Sequence, residues 1–190
     1  MSVTAIILAG GKSTRMGTDK GLVNYNQKPM IAHIINTLQK TNISDIIIIA
    51  HNAEYEKFGY PVYQDIIKDK GPLGGIYTGL LKSKTSSNLI LSCDIPLISH
   101  AVLNHLLAVK VSCPIVICKY KEQQHHLIGL YSSSLLLSLT QHLQQNSLKV
   151  RQFIEAHPHK IIDMEKAFIN FDEKQVQNIN SMQELKQIEK

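Results

Sequence analysis

An α/β fold with a mostly parallel central sheet is predicted for this 190-residue chain by three observations. Short apolar runs alternate with segments whose apolar residues recur at helical spacing. The runs are rich in Ile, Leu and Val and almost unbroken, as in strands covered on both faces. Glycine-rich turns sit where a strand gives way to the next element, as in three-layer α/β architectures.

Val3–Leu8 is the first predicted strand. Residues 30–39 carry Met30, Ile31, Ile34, Ile35 and Leu38 at the spacing of a helix. Ile46-Ile47-Ile48-Ile49, within residues 43–50, is a β-branched strand buried on both faces. Residues 60–63 form a short strand and residues 73–81 a helix. Residues 88–93 make another apolar strand, followed by a helix over 99–109 with Ser99 as its N-cap. Strands are predicted at 114–119 and 127–131, then a helix at 134–143 entered through the turn Ser132-Ser133-Ser134. Beyond this the periodicity weakens, and residues 168–180 receive no assignment. With no internal repeat, linker or composition break, residues 1–190 are expected to form one domain.

Forty-four percent apolar and 18% charged residues make an ordinary globular composition. The net charge of +5 favours anionic partners, although a solvated basic surface accounts for it equally well. Aromatics are only 6% and no dense Lys/Arg stripe is present, which speaks against nucleic acid as a partner. Cys93, Cys113 and Cys118 are odd in number and lack a C-x-x-C pair, as expected of small buried thiols in a reducing compartment. No secretory leader pattern and no apolar run of membrane-spanning length is visible, so the expected location is cytoplasmic, with no membrane partner.

The most telling segment is Leu8-Ala9-Gly10-Gly11-Lys12-Ser13-Thr14-Arg15-Met16-Gly17-Thr18-Asp19-Lys20, directly after the first strand. A glycine-rich loop lets backbone N–H groups approach an anion. Arg15 adds a forked guanidinium and Lys20 a compact charge, a combination suited to a triphosphate. Gly11-Lys12-Ser13-Thr14 imitates the end of a Walker A loop, but the first glycine of that pattern would fall on Ile6, inside the strand.

Two further segments sit at comparable places. Asp94 follows an apolar strand and precedes Ile95-Pro96, a position from which a carboxylate can hold Mg²⁺. Gly71-Pro72-Leu73-Gly74-Gly75 leads into a helix, whose N-terminal N–H groups attract anions and polar ligand groups. In an open α/β sheet, ligands lie at the carboxyl ends of strands, so these segments can face one crevice. Ser181 with Glu184 reads as a capping box opening a terminal helix.

Residues 8–20 resemble the signature of the molybdenum cofactor guanylyltransferases, approximately L-A-G-G-x-S-x-R-M-G-x-D-K. Cys93-Asp94-Ile95-Pro96 is similar to that family's C-D-x-P, the 71–75 loop to its G-P-L-[AG]-G, and Asn178-Ile179-Asn180-Ser181 to its N-x-N-[ST]. The resemblance implies a Rossmann-like three-layer domain of nucleotidyltransferase type. It implies backbone contacts to the nucleotide from Leu8, Ala9, Gly10 and Gly11, and nucleotide binding with transition-state stabilisation by Arg15 and Lys20. Gly71, Gly74 and Gly75 are implied near the guanine and ribose, Asp65 as a nucleotide contact, and Asp94 as nucleotide contact and Mg²⁺ ligand. On the acceptor side it points to His126, although Leu127 stands where the family has proline. It points also to Lys149 and Arg151, for which solvated helix charges are an equal account, and to Asn178 and Asn180.

The reaction implied is transfer of GMP from GTP to molybdenum cofactor (molybdopterin), giving molybdopterin guanine dinucleotide and pyrophosphate. Cofactor-synthesis proteins or apo-molybdoenzymes would be its partners. A cytidylyl- or sugar-phosphate nucleotidyltransferase shares the wider L-A-[AG]-G-x-x-x-R-[ML] pattern and is the alternative. A non-catalytic nucleotide-binding regulator is a third, disfavoured by the joint presence of Arg15, Lys20 and Asp94.

Overall fold

The computed structural model describes residues 2–10, 19–110 and 112–188. The strands are β1 (Val3–Leu8), β2 (Asn24–Tyr25), β3 (Lys28–Pro29), β4 (Asp45–Ile49), β5 (Val62–Tyr63), β6 (Ser87–Ser92), β7 (Ile115–Tyr120), β8 (Gln123–Ser132) and β9 (His159–Asp163). The helices are α1 (Met30–Leu38), α2 (Gly71–Lys82), α3 (His100–Ala108), α4 (Leu136–Gln144), α5 (Val150–Glu155), α6 (Met164–Ala167) and α7 (Met182–Ile188). Seven of the strands form one sheet in the order β5-β4-β1-β6-β8-β7-β9. β1 pairs parallel with β4 and β6, β4 with β5, and β7 with β9. β8 runs antiparallel to both β6 and β7.

The apolar runs are unbroken because each strand feeds two cores. Ala5, Ile7, Ile46, Ile48, Leu89 and Leu91 face the layer of α1 and α3, while Ile6, Leu8, Ile47, Ile49 and Ile90 face α2 and α4. Successive side chains of a strand point to opposite faces, so both parities must be apolar. All of these residues are less than 10% exposed. A third, smaller cluster joins Val23, Tyr25 and Met30 to Ile179 and Leu185, and so fastens the C-terminal segment beside the β2–β3 hairpin.

The expected fold class holds, with three local differences. The 127–131 strand extends to Gln123 and is antiparallel, because a tight turn at Lys121, with φ +51°, folds it back on β7. β9, with Ile162 buried and Ile161 half-buried, and the two-residue strands β2 and β3 had no clear signal. Ser99 caps α3 as expected, its Oγ accepting from the Val102 N–H at 3.3 Å. Ser181 Oγ accepts from the Glu184 N–H at 3.2 Å, but Glu184 Oε2 accepts from the Asn180 N–H at 2.6 Å, one residue earlier than a strict capping box requires.

Candidate active site

β1 sits between β4 and β6, and the chain leaves it for one side before returning to the other. Such a switch in strand order opens a crevice at the carboxyl ends of the strands. Asp94 lies there, two residues beyond β6 and only 6% exposed. A buried carboxylate must be compensated, and this one is. Its Oδ1 accepts from Ser92 Oγ at 2.5 Å and from Asn178 Nδ2 at 2.7 Å. Its Oδ2 faces Lys20 Nζ at 3.2 Å. The same ammonium donates to Asn180 Oδ1 at 2.6 Å.

Two asparagines reach one carboxylate–lysine pair because the strand-like spacing of two puts both on the same side of an extended segment. Ile179, between them, points the other way and is fully buried. The Ile179 N–H donates to the Asp94 carbonyl at 2.8 Å, which straps the segment to the site.

Lys20 is held from behind. It opens a single 3-10 turn, Lys20–Leu22, after Asp19. The Asp19 carboxylate accepts from the Tyr55 hydroxyl at 2.6 Å, and Tyr55 is fully buried. Burial raises the Asp19 pKa, and the Tyr55 bond opposes that rise. Gly21 sits so close to this tyrosine that a Cβ there would lie 2.5 Å from the hydroxyl and 3.2 Å from Cys93 Cβ. Burial pushes the Cys93 thiol far up, so it is no nucleophile beside Asp94 at neutral pH.

On one side of Asp94 lies a pocket lined by Leu8, Gly10, Ile49, Asp65, Pro72 and Gly75. Helix α2 comes against β1 here: a Cβ on Gly75 would stand 3.1 Å from Leu8 Cδ2. The first turn of α2, whose Gly71 and Pro72 line this pocket, has no side-chain cap, which leaves its free N–H groups without a local side-chain acceptor. Asp65 Oδ2 meets His51 Nε2 at 3.4 Å, while Oδ1 is buried with no partner. Burial raises the Asp65 pKa, and His51 partly offsets it.

On the other side, Ser92, Ile95, Gln123, His125, His126 and Asn178 border a second pocket of about 200 Å³. A β-bulge builds it. Ile117 pairs with Gly129 but the next residue, Cys118, pairs with His125, so residues 126–128 of β8 have no partner on β7, while Ile128 still pairs with Leu91 of β6. Bulges re-aim side chains next to active sites. Gly129 is required at the crossing, because a Cβ would collide with the Val116 carbonyl.

The structure thus brings together Lys20, Asp94, Asn178 and Asn180, and places Gly10, Asp65, Gly71 and Gly75 in the neighbouring pocket. Gly74 stands beside them in the first turn of α2, packed on Lys70 and the Ile67 carbonyl. Gly11 and Arg15 lie outside the described residues. The Ala9 N–H donates to the Ile49 carbonyl and the Leu8 carbonyl accepts from Cys93, so those groups are engaged in the sheet; Leu8 contributes a side-chain wall instead. Lys149 is exposed, and Arg151 is exposed and paired with Glu155 at 2.7 Å. His126 borders the second pocket with its pKa lowered by burial and then by Arg151.

Three residues escaped the sequence. Ser92 reads as the polar end of an apolar strand, Tyr55 carries no signal, and His125 reads as the twin of His126. Of the two histidines, His125 is the more buried, at 7% exposure, with Nε2 unpartnered. Only the bulge distinguishes the pair.

Residues 5–161 match the family described as the MobA-like NTP transferase domain. A Flavobacterium johnsoniae protein named "Probable molybdenum cofactor guanylyltransferase" is 40% identical over 185 residues, covering 97% of this chain and 95% of that protein. A Haemophilus influenzae "Molybdenum cofactor guanylyltransferase" is 34% identical over 198 residues, covering 98% and 97%. The solved structure of molybdopterin-guanine dinucleotide biosynthesis protein A from Archaeoglobus fulgidus shares the fold with a TM-score of 0.81 at 23% identity, covering 98% of this chain and 96% of that one. An α/β sheet with its crevice at this switch point, matched over this length, makes the chain a member of the MobA-like NTP transferase family, a nucleotidyltransferase.

Proposed function

We propose that this chain, folded as one domain, transfers GMP from GTP to the terminal phosphate of molybdopterin-type molybdenum cofactor and releases pyrophosphate. The relatives named for that activity support it, and one observation carries it at the level of residues. An aspartate, a lysine and two asparagine amides converge within hydrogen-bonding distance beside two pockets, to which we assign one reactant each.

The pocket with Asp65 suits the nucleotide. Guanine offers N1–H and its N2 amino group side by side, and a carboxylate with an unpartnered oxygen accepts such donors. The α2 N-terminus and Gly10 flank the path of the phosphates. The pocket with His125 and His126 suits the acceptor, whose phosphate then reaches Asp94 and Lys20.

In the reaction, an oxygen of the acceptor phosphate attacks the α-phosphorus of GTP. A new P–O bond forms as the bond from the α-phosphorus to the bridging oxygen breaks, and pyrophosphate leaves with the electron pair. The attacking phosphate is largely ionised at neutral pH, so no general base is required. Lys20 neutralises phosphate oxygens while two anions approach, and Arg15 would do so as pyrophosphate departs.

The oxygen donors fit a hard divalent cation, for which we propose Mg²⁺. Such an ion takes one or two carboxylates and completes its shell with water and substrate phosphates. Asp94 would hold it, with Asn180 offering an amide oxygen. Among the described residues no group of three or more His, Cys, Asp or Glu could hold an ion unaided, so substrate phosphates and water would complete its shell. When bound, the ion would polarise the α-phosphate. Molybdoenzymes or cofactor-synthesis proteins would receive the product. Among the described residues no helix is long and apolar enough to cross a membrane.

Asp94→Asn tests the assignment. The amide keeps the size and most hydrogen bonds, so the variant should fold while turnover falls at least about a hundredfold, the scale of losing one electrostatic stabiliser of a transition state. Near-normal Mg²⁺-dependent turnover would exclude Asp94 from the chemistry.

A further inference from the structure

We propose that Lys20 competes with divalent metal for Asp94, so that the site admits metal together with nucleotide and resists free metal. The inference rests on the nucleotidyl-transfer reading and adds a second role for Lys20: selecting the metal–nucleotide complex.

The geometry of the carboxylate carries it. Oδ1 is occupied by Ser92 and Asn178, at 2.5 and 2.7 Å. Oδ2 is the oxygen directed at a cation, and Lys20 Nζ is 3.2 Å from it. An amide oxygen that a hard cation could add, Asn180 Oδ1, also accepts from that ammonium at 2.6 Å. One lysine therefore engages both oxygens that a metal would use. The pair is sheltered, with side-chain exposures of 24% for Lys20 and 9% for Asp94, so solvent screens it weakly. An ammonium and a dication on the same carboxylate oxygen repel each other at close range.

Lys20 cannot relieve this by moving its backbone. Asp19 before it is tied to Tyr55, and Gly21 after it is wedged against the same tyrosine and Cys93. Only the four-carbon arm swings. A triphosphate gives that arm other oxygens to bind and brings the metal the rest of its ligands. Nucleotide thus frees Asp94 for metal, and by linkage metal favours nucleotide to the same degree.

The test is binding of Mn²⁺ alone to the full chain without nucleotide, followed by the EPR signal of the free ion. Lys20→Met should bind Mn²⁺ about fivefold more tightly than the parent, or better, since even an exposed ion pair reaches that scale. Lys20→Gln, a second variant should the first not fold, should do the same. Lys20→Arg, which keeps the charge, should match the parent. Parent-like Mn²⁺ affinity in both neutral variants would overturn the competition. Asp94→Asn serves as the separate arm: loss of Mn²⁺ binding there supports Asp94 as the ligand, whereas unchanged binding overturns the metal assignment itself.

Discussion

Removing one hydroxyl, by Tyr55→Phe, tests how the lysine is held. The phenyl ring keeps the volume and the contacts with Gly21 and Phe58, so no cavity opens. What is lost is the 2.6 Å bond to the Asp19 carboxylate. A hydrogen bond to a charged group contributes about 1.5–3 kcal/mol, so the variant should lose about 2 kcal/mol at pH 7. For a chain of this size that is a fall in Tm of about 4–8 °C. The pH dependence follows from Asp19, whose folded-state pKa is raised above 3.8 by burial despite the Tyr55 bond. A carboxyl with a raised folded pKa gives the folded state its advantage below the unfolded value, and that advantage is lost as pH rises through the folded value. Without the hydroxyl the folded pKa rises further, so the cost of Tyr55→Phe is full at pH 7 and shrinks as pH falls toward 4. Asp19→Asn retains an acceptor and removes the titration. Urea unfolding of the parent, both single variants and the double variant at pH 7 and pH 4.5 measures this. Tyr55→Phe within about 0.5 kcal/mol of the parent at pH 7, or the same loss at both pH values, would refute the reasoning.

Other consequences concern the two pockets and the thiols. His125→Ala should raise KM for the acceptor about tenfold and leave KM for GTP unchanged, since the lost contact is with one reactant; an equal rise in both would indicate collapse of the bulge instead. Burial holds the Asp65 carboxyl above its ordinary range, so kcat/KM for GTP should decline on the acid side from a pH above 3.8, and Asp65→Asn should abolish that limb. At pH 8 Ellman's reagent should reach half-buried Cys113 first, while buried Cys118, pushed up to about 12, and Cys93 wait for unfolding; rapid labelling of all three would contradict this packing.

The central strands were legible because a residue covered on both faces must be apolar at both parities, and Ile46 to Ile49 show that directly. Lys20, Asp94 and the Asn178–Asn180 pair were legible through a signature with fixed spacing, which local chemistry alone would have left as separate turns and caps. The sequence marks only the 127–131 part of β8 and gives no sign of its hairpin with β7, because the turn has no glycine or proline: Lys121 itself takes φ +51°. The bulge that aims His125 inward is a pairing offset between two strands, and neither strand encodes it alone. Tyr55 could not be placed, because its partner Asp19 is 36 residues away and the bond exists only once β1 and β4 are side by side. Ser92 and Leu8 show the same limit at short range: their roles depend on what the adjacent strand delivers opposite them.

The most direct measurement follows label from each α-labelled nucleoside triphosphate into molybdenum cofactor, with Mg²⁺ and the purified chain, alongside pyrophosphate release. The account predicts label from GTP, with one pyrophosphate for each guanylyl group transferred, and loss of both in Asp94→Asn. Label from CTP in its place would contradict the assignment of Asp65 to guanine, and no transfer from any nucleotide to this acceptor would contradict the proposed function.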